Sequence, residues 1–240
     1  MLSRIGLKNI KIKSLKYLTH AGGKLENDKL KEIIKFCKKN NLKFFSMYGQ
    51  TEASPRISYL NPEFSKKKIG SIGKGIPGSK MYIINNTGKK ILKPFVEGEI
   101  ICEGKNVFMG YSKDYNDLKN ANEENYKLKT GDLGYFDKNG FFYITSRISR
   151  IAKIFGNRVD LGALESLMSQ KSYKVACLSD NKIVFIFIEK KYNKTNLINT
   201  ISKITNLNVN SFELIKLKYL PRTANNKISY NELKKINARL

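Results

Sequence analysis

The sequence predicts a mixed chain, α/β followed by α+β: a partial α/β subdomain over about residues 1–69, a small β-barrel-like subdomain or twisted antiparallel sheet over about 70–148, and a small α+β domain over 149–240. Three observations lead there. Near the start, short apolar strands alternate with an amphipathic helix. From about Gly70 to Arg147, short strands are separated by glycine turns. After Arg147, helical and strand-like segments alternate again. At 240 residues the chain is long enough for one large domain or two modest ones, each with its own core.

In order along the chain, LKYLTHAGG reads as a strand running into a glycine turn. KLENDKLKEIIKFCKKN reads as a helix with Leu30, Ile33, Ile34 and Cys37 on one face. NLKFFSMYG is a short apolar strand, and no earlier strands precede these to complete a sheet. The β-rich stretch follows: SKMYIIN with the turn NTGK, EGEIICEG, then GYFD and FFYITSR around Lys138-Asn139-Gly140. Beyond it come strand IAKIFG, helix DLGALESLMSQ, a hairpin from KVACLSD to KIVFIFIE turning at Asp180-Asn181, helix NKTNLINTISKITN and strand SFELIKLKYL. Ser229 and Glu232 have the spacing of a capping box, which predicts a last helix just after Ile228 and puts Lys227 on the loop before it.

Lys and Arg number 45 against 20 acidic residues, a net charge of +25. Such a surplus attracts nucleic acid, anionic lipid or nucleotide phosphates. A coding bias toward Lys, Asn and Ile would produce it as well. The basic residues are spread through every segment, with no dominant block and no recognisable nucleic-acid module. Cys37, Cys102 and Cys177 are too scattered for a disulfide framework or a zinc site, which suits a reducing cytoplasm. The longest apolar run, Ile183 to Ile188, is far too short to cross a bilayer, so no export or membrane anchoring is expected. With His20 as the single histidine, a histidine-based triad is excluded by arithmetic.

Several segments carry more chemistry than a core needs. Tyr48-Gly49-Gln50-Thr51-Glu52 ends a strand with a hydroxyl beside a carboxylate, a pair able to bond a phosphate and hold Mg²⁺ against it. A plain polar turn fits the same residues. Asp132, in KTGDL, can accept two hydrogen bonds from a ribose diol or simply form an Asx turn. Arg147, Lys153 and Gly156 lie along SRISRIAKIFG where the two domain textures meet, and Lys227 closes PRTANNK. The first of these stretches also reads as a basic exposed strand beside a connector, and the second as a mobile surface loop. The glycines from Gly70 to Gly78 are followed by a proline and a strand, so they read as sheet turns and not as a phosphate loop.

Taken together, in this order, the segments resemble the C-terminal half of the adenylate-forming superfamily of acyl- and aryl-CoA synthetases, peptide-synthetase adenylation domains and luciferases. LKYLTHAGGKL is similar to its adenine-side strand and turn, YGQTE to its threonine-glutamate motif, and GEIICEGKNVFMGY to its G-E-L…GY stretch. KTGDLGYFDKNGFFYITSR is similar to its T-G-D-L hairpin, SRISRIAKIFGNRVDLGALE to its hinge and C-terminal-domain opening, and PRTANNK to its terminal lysine loop.

The resemblance implies an AMP-forming ligase that joins a carboxylic acid to ATP as an acyl-adenylate and passes the acyl group to a thiol. It implies ATP/AMP, Mg²⁺ and either CoA or a carrier-protein thiol as ligands. Residues 1–148 become the C-terminal remnant of the large AMP-binding domain, and 149–240 the C-terminal lid domain. Glu52 would hold the metal, Thr51 the phosphate, and Tyr48 with Gly49, Gly22 and Gly23 the adenine side. Asp132 and Arg147 would hold the ribose. Lys227 would reach the reacting carboxylate and α-phosphate, and Lys153 and Gly156 would face a pantetheine thiol after a rotation near Ser149. A carboxylate is ionised at neutral pH and needs no general base, so the lack of a catalytic histidine is no obstacle.

The family's phosphate loop and most of its acid pocket lie upstream of the stretch that resembles it. The chain is therefore expected to be a split-enzyme half partnered by a separate polypeptide, a frame-shifted fragment, or a folded non-catalytic relic; taken alone, it is expected to be inactive. A basic polyanion-binding protein is the remaining alternative. Ser146, Ser149 and Asn226 depart from the family pattern, and Asn226 tolerates the left-handed backbone of the glycine it replaces.

Overall fold

A computed structural model describes residues 6, 14–23, 25–120, 126–189, 193–223 and 226–239. The chain divides into two compact units, Met1–Thr145 and Ser146–Leu240.

In the first unit, β1 (Tyr17–His20) and β2 (Lys43–Tyr48) run parallel, joined by α1 (Asn27–Lys39). Leu30 and Cys37 of α1 pack with Phe44 of β2, the predicted apolar face meeting the strand. The sheet continues through β3 (Ser58–Leu60) and β4 (Lys74–Gly75), both antiparallel. These strands have two or three residues each, too short for any alternation to predict.

The β-rich stretch forms a five-stranded sheet in the order β6-β5-β7-β8-β9: β5 (Ser79–Ile84), β6 (Lys90–Ile91), β7 (Gly98–Gly104), β8 (Lys127–Phe136) and β9 (Phe142–Arg147). Of the two expected forms it is the antiparallel sheet, which corrects the barrel. Among the described residues β6 and β9 are end strands, and the sheet is open. The two sheets of this unit share a core: Tyr48, at the end of β2, packs with Ala53, Ile57, Cys102 and Leu128 on one side and with Ile83 and Ile100 on the other.

The second unit opens with the hairpin β10 (Ile151–Ile154) and β11 (Asn157–Asp160). Its turn is Phe155-Gly156, with φ of 47° and 80°, the left-handed pair that a two-residue hairpin loop requires. The second strand of this hairpin was not foreseen. α2 (Leu161–Gln170) follows, capped by the Asp160 side chain, which accepts from the Ala163 N–H. The predicted hairpin is present as β12 (Val175–Ser179) and β13 (Val184–Glu189), turning at Asp180-Asn181. α3 (Lys194–Thr205) then crosses to β14 (Phe212–Leu217), which lies parallel to β13.

α4 (Tyr230–Asn237) starts where expected, with Ser229 at the N-cap, but the Ser229 side chain makes no capping hydrogen bond. That corrects the capping-box expectation. The helix is held by burial of Leu233 and by Tyr230, whose hydroxyl donates to Glu165 Oε2 at 2.7 Å. No helix among the described residues is long and apolar enough to cross a membrane.

Candidate active site

In open α/β sheets, ligands collect beyond the carboxyl ends of parallel strands, where chain leaves the sheet and side chains are free of the ladder. In the first unit β1 ends at His20, opposite Ser46, and the parallel β2 ends two residues further on, at Tyr48. Beyond β1 comes the exposed turn Gly22-Gly23, with Gly22 at φ 86° and open space where either Cβ would point. Beyond β2 comes Tyr48-Gly49-Gln50-Thr51-Glu52. The turns of two neighbouring strands thus open at the same edge. His20 is half-buried, and burial pushes its pKa down against the opposing hydrogen bond with the Gly23 backbone.

Gly49 is required by packing. A Cβ there would meet the Pro55 carbonyl oxygen at 1.8 Å, because the chain folds tightly back on itself after the strand. Thr51–Ala53 form a single 3-10 turn closed by Ser54 at φ 54°. The Ile57 N–H donates to the Tyr48 carbonyl at 2.9 Å. The Phe108 N–H donates to the Glu52 carbonyl at 2.9 Å, and Asn106 Nδ2 donates to the carbonyls of Ala53 at 3.2 Å and Arg56 at 2.8 Å. With its backbone tied down, the loop presents its side chains in fixed directions.

Asp132 reaches the same place from β8. Between the pairs Glu99–Leu133 and Ile101–Lys129 the register shifts, so Thr130, Gly131 and Asp132 together oppose Ile100. Gly131 has φ 71°, and this bulge re-aims the side chains beside it. The Thr130 hydroxyl bridges it, donating to the Ile100 carbonyl at 2.8 Å and accepting from the Asp132 N–H at 3.1 Å. Glu99 Oε1 accepts from the Gly131 N–H at 3.1 Å. Asp132 is almost wholly buried at 7% exposure, and its Oδ2 accepts from the Tyr48 hydroxyl at 2.6 Å and Gln50 Nε2 at 3.0 Å. Gln50 Nε2 also donates to the Thr130 carbonyl at 2.8 Å.

The structure therefore joins Tyr48 and Asp132 through direct hydrogen bonds, with Gly49 and Thr51 on the same loop. Glu52 accepts a hydrogen bond from the exposed Tyr111 hydroxyl, and that bond first, then desolvation, pushes the Tyr111 pKa up. Gln50, Asn106, Tyr111 and Thr130 were not among the predicted site residues. All four sit inside the quoted motifs, and the motif pattern was the only available signal for them.

Among the described residues no group of three or more His, Cys, Asp or Glu side chains is arranged to hold a metal. A single carboxylate on a turn suits Mg²⁺, which keeps most of its ligands from water and phosphate. Glu52 is a carboxylate on such a turn. Neither of two prominent grooves, one in each unit, includes any residue of the Tyr48–Asp132 cluster.

Arg147 is the exposed last residue of β9 and the N-cap of the one-turn helix Ile148–Arg150. In the second unit Lys153 is exposed on β10, its N–H donating to Asn181 Oδ1 at 3.1 Å, and Gly156 lies at the exposed hairpin tip. Lys227 is exposed beside Asn226, whose φ of 60° is the left-handed geometry expected of it. The Thr223 N–H donates to the Lys227 carbonyl at 2.8 Å and Arg222 Nη1 to the Asn226 carbonyl at 2.9 Å, so the loop is hydrogen-bonded across its base. Ala224 and Asn225 of the predicted lysine loop lie outside the described residues, as do Lys24 of the first motif and the opening residues 1–5 and 7–13.

Residues 4–112 match the family described as AMP-binding enzyme. The 2-succinylbenzoate–CoA ligase of Bacillus subtilis (strain 168) is 30% identical over 214 residues, covering 84% of this chain and 43% of that protein. The corresponding ligase of Bacillus pumilus (strain SAFR-032) is 34% identical over 160 residues, covering 67% of this chain and 32% of that protein. The structure of the Bacillus subtilis O-succinylbenzoate coenzyme A synthetase in complex with ATP and magnesium ion superposes with a TM-score of 0.70 at 28% identity, covering 97% of this chain and 49% of that one. The same synthetase in complex with its acyl-adenylate intermediate gives a TM-score of 0.70, also at 28% identity, covering 93% of this chain and 47% of that one. The chain spans about half the length, or less, of these relatives.

Proposed function

We propose that the chain, similar to the AMP-binding enzymes over residues 4–112 and to 2-succinylbenzoate–CoA ligases over most of its length, belongs with them and supplies the nucleotide-side wall and the lid lysine of an AMP-forming acid–thiol ligase. The observation that carries this reading is the Tyr48–Gln50–Asp132 hydrogen-bonded cluster at the carboxyl edge of the parallel strands. It gathers on one rigid platform residues that are far apart in sequence and that a core does not need.

In the reaction a carboxylate oxygen attacks the α-phosphorus of ATP, the bond from that phosphorus to the bridging oxygen breaks, and pyrophosphate leaves. A thiolate then attacks the acyl carbon, and AMP leaves with its phosphate oxygen. The first step brings anions together, so its barrier is lowered by positioning and by cations, with no proton to remove. Asp132, its Oδ2 held by Tyr48 and Gln50, accepts from the ribose hydroxyls, and Arg147 donates to the ribose oxygens. Tyr48 and the Gly22-Gly23 turn line the adenine side, where the absence of Cβ atoms leaves room for a flat ring. Gly49 sets the loop so that the Thr51 hydroxyl bonds the phosphate. Glu52 would hold Mg²⁺, which supplies charge neutralisation at the phosphate oxygens when bound. Lys227 serves as the charge donor to the reacting oxygens, and Lys153 with Gly156 faces the pantetheine arm of CoA or a carrier-protein thiol.

We place the functional boundary at 148/149, in the one-turn helix Ile148–Arg150, with a large-domain part before it and a lid after it. The phosphate loop and most of the acid pocket belong to the part of the fold outside this chain's span, in the same polypeptide or in a separate one. Since that part would form the opposite wall, it is understandable that neither prominent groove coincides with the Tyr48–Asp132 cluster. The relatives' named substrate makes 2-succinylbenzoate the first acid to supply. Buried, unbridged Cys37, Cys102 and Cys177 support a reducing, cytoplasmic setting.

The test is acid-dependent ATP–pyrophosphate exchange in an assembly containing both halves of the fold. Lys227→Ala is expected to slow exchange by roughly a hundred- to a thousandfold, the scale of losing one preorganised charge donor. An unchanged rate rejects that role, and no exchange with any carboxylic acid rejects the ligase reading.

A further inference from the structure

The first unit has a second concave feature, built from none of the residues assigned above. It is a groove of about 630 Å³ lined by Tyr59, Asn61, Phe64, Lys67, Lys68, Lys74 and the Asn139–Phe141 turn. That volume lies in the range of small-molecule sites.

Its cations are held in place. Phe141, buried at 5% exposure, has Lys74 Nζ 4.8 Å and Lys68 Nζ 5.0 Å from its ring centroid, and the Phe64 ring packs 5.0 Å away. Two ammonium groups drawn to one ring are brought near each other despite their repulsion.

The acceptors at the groove are already engaged. Asp137 takes Lys68 Nζ at 2.6 Å on one oxygen and the N–H groups of Asn139 and Phe141, at 2.9 and 3.0 Å, on the other. Asn139 Oδ1 accepts from Lys68 at 2.8 Å, and Asn61 Oδ1 from the Glu63 N–H at 3.1 Å. Both amides therefore have N–H groups left to offer. Lys67 and Lys74 form no ion pair with an acid among the described residues. Above these donors stand two half-exposed aromatic edges, Tyr59 at 38% and Phe64 at 37%.

We propose that this groove binds a phosphorylated aromatic small molecule: the phosphate between Lys67, Lys74 and the two amides, the ring against Tyr59 and Phe64. A dense set of donors with its acceptors spent selects an anion, and lysine binds phosphate as a point charge. The ring contacts that fix Lys74 reduce the entropy lost on binding. Apolar walls beside the donors favour an aromatic ester over free phosphate. The proposal does not depend on the adenylate site.

The test is a titration of the full chain with 1-naphthyl phosphate, and separately with inorganic phosphate, followed by backbone amide NMR. Saturable shifts are expected at Gly75, Asn139 and Phe141, with Gly22 and Gly131 unmoved. The naphthyl ester should bind about three- to tenfold tighter than phosphate, the worth of one good aromatic contact. Lys74→Gln should weaken it roughly tenfold, the worth of one charged hydrogen bond, and Asp132→Asn should leave it unchanged. If Lys74→Gln disturbs the hairpin turn before ligand is added, Lys67→Gln, which touches no ring, takes its place. Non-saturating shifts spread over many lysines, equal affinity for the two anions, shifts centred on Gly131, or undiminished binding by the lysine variant would each overturn the proposal.

Discussion

Asp132 and Tyr48 were both legible from short motifs, because a carboxylate beside a glycine and a tyrosine at a strand end are visible in one dimension. Their mutual hydrogen bond was not. It joins residues 84 positions apart, and that depends on a register shift that local sequence does not encode. Gln50 and Tyr111 went unassigned for the same reason: their partners, Asp132 and Glu52, are distant in sequence. Gly49 carries a direct prediction. Gly49→Ala drives a methyl into the Pro55 carbonyl and should destabilise the first unit by roughly 3 kcal/mol, as overpacking does, read as a lowered urea midpoint at unchanged slope. Asp137 carries another. Burial alone would raise its pKa, but the hydrogen bonds from Lys68, Phe141 and Asn139 hold it below the usual carboxylate value. A depressed folded pKa means stability present above the unfolded pKa, near 4, and lost as pH falls through the folded value. Asp137→Asn should therefore flatten the acid limb of the stability–pH curve below the unfolded value near pH 4. An unchanged acid limb would show that the carboxylate is not held as described.

At the scale of elements, the helices were the most legible part, since apolar residues at helical spacing marked α1 and α3 without help from context. β3 and β4 were invisible, because strands of two or three residues carry no period and exist only through their neighbours. The expected barrel opened into a sheet because nothing in glycine-punctuated strands specifies whether the last strand meets the first. One element-level link was also out of reach. Arg150, in the one-turn helix after β9, pairs with Glu165 of α2 at 2.6 Å and lies 4.2 Å over the Tyr230 ring at the start of α4. Glu165 in turn accepts from the Tyr230 hydroxyl and the Cys177 N–H. The segment entering the second unit is thereby fastened to the helix that follows the Lys227 loop. Arg150→Met should destabilise that unit by about 3 kcal/mol, since it leaves a largely buried carboxylate without its cation. A loss below about 0.5 kcal/mol, the range of ordinary surface substitutions, would mean the link is ornamental.

On the scale of the whole molecule, the net charge of +25 made a polyanion partner an obvious expectation, yet charge alone does not locate a site. The proposed site rests instead on the turns after β1 and β2 and on the bulge of β8 that joins Asp132 to Tyr48, an arrangement that the motif order encoded only through resemblance. The central claim is that this arrangement binds an adenylate, and thermal unfolding of the chain with and without a non-hydrolysable acyl-sulfamoyl-adenosine tests it most directly. At a hundredfold excess over Kd the first unit should melt roughly 5–10 °C higher, and Asp132→Asn should abolish the shift while keeping the unliganded melting temperature within about 2 °C. A melting temperature that does not move at millimolar analogue, or one that rises equally in Asp132→Asn, would contradict the account.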